Sequence, residues 1–175
     1  LRVHPNVVRH SIPFNAEADS LNCAILAPEV TPDDEEFDLF VKEVVREMTV
    51  KAGQKCTAIR RAIVPRRHLD AVATKLRERL AKVVVGDPAL ESVRMGALAS
   101  HAQAADVADR VAQLRAGAQL VCGGGEGFAP LGEGVADGAF FAPTLLLCDR
   151  PLVTDAVHDV ERSEERRVGK ECTIQ

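Results

Sequence analysis

A helical apolar stripe set between two short strand-like runs constrains this chain more than any other feature. Phe37, Phe40, Val41, Val44, Val45 and Met48 recur at helical spacing and give one apolar face through about Lys51. Thr31-Pro-Asp-Asp begins that helix, with acidic first-turn residues suited to its dipole. Before it, Ile12-Pro-Phe and Leu21 to Leu26 read as strands joined by a polar turn, and Pro28 ends the second. After it, Ala58 to Val64 reads as a strand stopped by Pro65.

The alternation continues. A helix is expected over 66–82, with Leu69, Val72, Leu76 and Leu80 on one face, then a short buried strand in Val83-Val-Val. Ser100 caps a third helix to about Ala116, where Gly117 stops it. Gln119 to Cys122 and Phe140 to Leu147 are the remaining strand-like runs. Helices alternating with apolar strands predict an α/β architecture with a largely parallel sheet. The chain is 46% hydrophobic and 27% charged over 175 residues, enough for about one domain with a core. Aromatics are 3% with no Trp or Tyr, so Ala, Val and Leu must fill that core.

Bulk properties exclude several function classes. A net charge of −4 argues against nucleic acid as a partner. No apolar run is long enough to span a bilayer, so no membrane role is expected. Cys23, Cys56, Cys122, Cys148 and Cys172 are odd in number, widely spaced and free of C-x-x-C pairs. That pattern disfavours structural zinc or a disulfide framework and fits a reducing cytoplasm. The five His residues lack metal-ligand spacing, and no nucleophile elbow appears.

Chemistry concentrates in Lys51-Ala-Gly-Gln-Lys-Cys-Thr57. The run places a thiol at a helix-to-strand junction, at the rim of the expected core. Gly53 permits a tight bend, and the amides that follow are placed to receive an oxyanion. On this reading Cys56 is a nucleophile; the competing reading is a small buried hydrophobe. Glu17, on the polar turn, is a candidate base for activating hydrolytic water, against the plain alternative of a surface carboxylate. Gly123 to Gly127 lacks the spacing of a dinucleotide fingerprint, with Pro130 where the third Gly would fall, and reads as a turn. Arg60, Arg61, Arg66 and Arg67 bracket a strand and invite a phosphate-binding reading against simple solvation.

Taken in order, these segments resemble the aldehyde dehydrogenase superfamily over 1–161. Gly53-Gln-Lys-Cys56 resembles the G-Q-x-C nucleophile motif, and Glu17 aligns with the general base. Val85-Gly-Asp-Pro, Met95-Gly-Ala-Leu and Gly138-Ala-Phe-Phe-Ala-Pro-Thr-Leu are similar to landmarks downstream of the nucleophile. Glu161 falls where the carboxylate that holds the nicotinamide ribose is expected. The resemblance implies a three-layer α/β fold, a partial catalytic domain over 1–161, and oxidation of an aldehyde with NADP or NAD. It also implies a homo-oligomeric parent whose dinucleotide fold and oxyanion-hole Asn lie upstream of Leu1. Glu17-Ala-Asp-Ser-Leu-Asn-Cys, Val44 to Thr49 and Lys51 to Arg61 are similar to the dehydrogenase half of the bifunctional ring-opening enzymes of phenylacetate degradation, which implies a CoA-linked semialdehyde substrate. Residues 162–175 stand apart: Arg162 to Cys172 resembles the translation of a common DNA-sequencing adapter and is expected to be a non-native tail. A small non-catalytic α/β binding module is the rival reading.

Overall fold

The computed structural model describes residues 2–14, 22–125, 127–154, 157 and 171–174. Glu17 and Glu161 lie outside these residues. The elements in chain order are α1 (Pro5–Arg9), β1 (Asn22–Ile25), α2 (Glu35–Thr49), β2 (Ile59–Ile63), α3 (Leu69–Leu80), α4 (His101–Leu114), β3 (Gln119–Cys122), β4 (Thr144–Leu147) and β5 (Glu171–Ile174).

The described strands form one sheet in the order β1-β2-β5-β4-β3. Every pairing is parallel except β3 with β4, which is antiparallel. The expectation of a largely parallel sheet therefore holds for four strands, and the edge strand β3 departs from it. β5 comes from the charged tail yet lies in the middle of the sheet, a placement that the composition of 162–175 does not foretell.

Two faces of the sheet are covered by different helices, as the alternation of strand side chains requires. Leu145 packs with Phe37, Val41, Val44 and Met48 of α2 and Val72, Leu76 and Leu80 of α3, together with Ala62 and Val64. Its neighbour Leu146 points the other way, onto Leu114 at the end of α4. This is a three-layer α/β arrangement. Phe37, Val41, Val44, Val72, Leu76 and Leu145 are wholly buried, each contributing about 1.5–3 kcal/mol by removal from water.

Several expected boundaries shift for identifiable reasons. The first long helix begins at Glu35 rather than Thr31, because the Asp34 carboxylate accepts from the Thr31 amide at 2.7 Å and its hydroxyl at 2.8 Å, holding 31–34 as a turn. Those bonds from Thr31 also hold the Asp34 carboxyl below its ordinary range. Ile12-Pro-Phe forms no strand. Val83-Val-Val makes only isolated bridges, Val85 to Met95 and Gly86 to Leu131, because its neighbours belong to two different loops. Gly86 is required there: a Cβ would meet the Leu131 carbonyl oxygen at 2.1 Å. Residues 140–143 precede β4 without pairing, and Pro143 has no N–H to offer a ladder. Ser100 caps α4 as expected, accepting from the Gln103 amide at 3.2 Å.

Candidate active site

The turn between α2 and β2 carries Cys56, and its backbone is unusual. α2 ends where the Thr49 hydroxyl donates back to the Val45 carbonyl at 2.8 Å. Lys51, Ala52 and Gly53 then adopt left-handed conformations, with φ of 52°, 55° and 71°. Glycine takes this region freely, but each of the two side-chain-bearing residues costs about 1–2 kcal/mol there. Strain of this kind persists only where surrounding contacts over-determine it.

Those contacts come from four directions. Ala52 is buried with Val85 and Met95, and Val83, Phe128 and Phe140 pack around them. The three sequence landmarks at 85–88, 95–98 and 138–145 thus supply side chains that hold the turn from beneath. Gln54 spans to the next loop: its Oε1 accepts from the Ala99 amide at 2.8 Å, and its Nε2 donates to the Lys51 carbonyl at 3.1 Å and the Ala97 carbonyl at 3.4 Å. Lys55 pairs with Glu47 on α2 at 2.7 Å, both side chains largely buried. Finally Asn22, at the start of β1, donates through Nδ2 to the Cys56 carbonyl at 2.5 Å and the Ala58 carbonyl at 3.2 Å.

The result is an exposed thiol on a fixed backbone. Cys56 is exposed, which removes the reading of it as a buried hydrophobe. Its amide and that of Thr57 donate to no acceptor among the described residues. Both amides are therefore left without a backbone acceptor at the rim. Parallel pairing of β1 with β2 sets Asn22 opposite Ile59. Asn22 and Gln54 are the residues that sequence reasoning missed. Their signal is a polar amide beside the nucleophile motif, but their partners lie far along the chain.

Other candidates do structural work. The Arg66 guanidinium donates to the Asp149 carbonyl at 2.8 Å, Arg67 bonds the Pro28 carbonyl, and Arg61 reaches the Val157 carbonyl at 3.3 Å. Arg60 is buried. Arg66 and Arg67 are nonetheless exposed, as the solvation reading expects, and Arg61 is half-buried. Cys148 is buried and Cys122 half-buried, and burial pushes the Cys122 thiol up from its ordinary value. Cys23 is exposed on β1. No metal-ligating cluster occurs among the described residues.

The Gly123 run offers no cradle for a dinucleotide. Gly124 donates to the Thr144 hydroxyl at 2.9 Å, and a Cβ on Gly123 would meet the Pro143 carbonyl oxygen at 2.4 Å, so the run folds against its own chain. The residue expected at the cofactor, Glu161, lies outside the described residues.

The fold defines this chain as an α/β protein with an exposed thiol on a strained, buttressed turn at the rim of a mostly parallel sheet. Known relatives narrow this class. The Aldehyde dehydrogenase family matches residues 13–152, and the chain belongs to that family. It is 50% identical over 161 residues to a 3,4-dehydroadipyl-CoA semialdehyde dehydrogenase of Aromatoleum evansii, covering 92% of this chain and 31% of that protein. It is 33% identical to a 3-succinoylsemialdehyde-pyridine dehydrogenase of a Pseudomonas species, covering 83% of this chain and 33% of that protein. Its fold matches aldehyde dehydrogenase C of Pseudomonas syringae, solved with NAD+ and octanal, with a TM-score of 0.66 and 26% identity over 89% of this chain and 29% of that one. The chain thus spans about a third of the length of the relatives it matches.

Proposed function

We propose that this chain is the nucleophile-bearing part of an NAD(P)-dependent aldehyde dehydrogenase, acting on a CoA-linked semialdehyde in the catabolism of an aromatic acid such as phenylacetate. The observation that carries the reading is the exposed Cys56 thiol on a left-handed turn fixed by Asn22, Gln54, Lys55 and Ala52. The substrate class follows the 50% identical relative, whose name specifies a CoA semialdehyde. NAD or NADP, when bound, accepts a hydride; the family and the NAD+-bound structural neighbour support its use. The described residues supply no binding cradle for it, and Glu161 is proposed to contact its ribose.

The chemistry assigned to this chain begins with the Cys56 thiolate attacking the aldehyde carbon. A carbon–sulfur bond forms, and the carbonyl electrons move to oxygen, where the free Cys56 amide is positioned to donate. Loss of a hydride from that carbon, which NAD or NADP would accept when bound, would leave a thioester on Cys56 as the oxyanion re-forms the carbonyl. Glu17 then takes a proton from water, which attacks the thioester carbon and releases the acid with the thiol. The reading uses nothing from residues 162–175, proposed to be a non-native tail, although its strand fills the sheet between β2 and β4. The compartment proposed is the cytoplasm, consistent with Cys23, Cys56, Cys122 and Cys148 being free thiols.

Competitive alkylation tests the assignment. In the folded chain, iodoacetamide at neutral pH should modify Cys56 well before Cys23, although both thiols are exposed. Equal rates at the two would sink the nucleophile assignment. The isolated 175-residue chain is expected to have no dehydrogenase activity and to bind cofactor poorly; micromolar NADP binding by fluorescence titration would contradict the second expectation.

A further inference from the structure

Between α2 and α3 lies a cleft of about 730 Å³, within the usual range for small-molecule sites. Its walls carry Lys42, Arg46, Lys75, Arg79, Lys82 and Arg94 against only Asp38 and Glu78. The cleft thus holds a surplus of four positive charges on a chain whose net charge is −4. Local pairing leaves much of that surplus standing. Asp38 is shared between Lys75 at 3.0 Å and Arg79 at 3.4 Å, and Glu43 pairs Arg46 at 3.0 Å. Arg94 donates to backbone carbonyls of Glu91 and Val93, which leaves its charge uncancelled. Lys42 and Lys82 have no ion pair among the described residues.

The rest of the lining is different. Val45, Val50 and Val83 give apolar surface beside the cations. A ligand that suits both must carry several negative charges on a body with apolar faces, as a nucleotide phosphate does. Position adds a second constraint. Val50 both lines the cleft and begins the turn that ends at Cys56, six residues on, so the two are no more than about 20 Å apart.

We propose that this cleft binds the phosphate-bearing nucleotide end of a CoA thioester, whose long arm then reaches toward Cys56. The inference rests on the CoA-linked substrate proposed above. It assigns specificity to α2 and α3, remote from the reacting carbon, rather than to the arginines flanking β2.

Calorimetric titration of the 175-residue chain at low ionic strength tests it, with CoA, adenosine 3′,5′-bisphosphate, adenosine and pyrophosphate as probes. CoA and the bisphosphate should bind, adenosine and pyrophosphate much more weakly, and added salt should weaken the binding. Reversing two exposed charges in a Lys42→Glu, Lys82→Glu double variant should weaken CoA by about tenfold, since each lost or repulsive contact at such a surface is worth a few tenths to 1 kcal/mol. An unchanged thermal melt would show that the variant is folded, and Lys42→Gln with Lys82→Gln provides a milder pair should the reversal unfold it. Absence of CoA binding, pyrophosphate binding as tightly as CoA, or a folded double variant that binds normally would each overturn the assignment. Selective Cys56 alkylation alongside absent CoA binding would refute the cleft and leave the dehydrogenase reading intact. CoA binding without that selectivity would do the reverse.

Discussion

The sheet face under α2 and α3 and the turn that carries Cys56 are built on different terms. The first is a field of interchangeable apolar contacts among Phe37, Val41, Val44, Val72, Leu76 and Leu145. The second depends on single residues with separate roles. Gly53 takes a positive φ, Gln54 clips one loop to another, and Asn22 holds the Cys56 carbonyl. Stability is thus spread over the face, whereas geometry at the thiol is concentrated in a few bonds.

Substitutions can separate the two. The largest loss is expected for Leu76→Ala, about 2–5 kcal/mol in urea unfolding, because a wholly buried side chain leaves a cavity. In the folded fraction, the ratio of Cys56 to Cys23 alkylation should not move; a changed ratio would show that the face and the turn are one unit. Gly53→Ala should cost less, about 1–2 kcal/mol, since a Cβ is placed at a φ of 71°. Here the alkylation ratio should fall. Asn22→Ala and Gln54→Ala should each cost about 1 kcal/mol, the net worth of an ordinary hydrogen bond, and lower the ratio similarly. Ratios unaffected by all three would mean that the turn does not set the reactivity of the thiol.

The smallest effect belongs to the α2–α3 surface. The hydrogen bond and charge of Lys75 hold the exposed Asp38 carboxyl below its usual range. A depressed carboxylate stabilises above its unfolded pKa and loses that contribution as pH falls through the folded value. Melting of the wild type and Asp38→Asn should accordingly differ slightly near neutrality and converge in acid. A difference that grows in acid would reverse the assigned sign.

What was legible in the sequence was whatever repeats or punctuates. The stripe from Phe37 to Met48, the Ser100 cap and the strand before Pro65 emerge close to where their patterns put them. The junction that carries Cys56 was legible too, and the thiol there is exposed rather than buried. What was hidden depends on partners distant in the chain. Left-handed Lys51 and Ala52 carry no glycine to advertise them; burial of Ala52 against Val85 and Met95 compensates the conformation. Nothing local shows that Val157, Asp149 and Pro28 will present carbonyls to Arg61, Arg66 and Arg67. Val83-Val-Val had the composition of a strand but no aligned neighbour.

The bond from Asn22 to Cys56 spans 34 residues of sequence. It can close only after the chain has looped through α2 and laid β1 beside β2, a contact that carries the entropy of a long loop. During refolding, then, α2 can form from local interactions while the thiol is still unframed. The rate at which the Cys56 thiol changes its reactivity during refolding would report formation of the parallel sheet, making that side chain a built-in clock for its own scaffold.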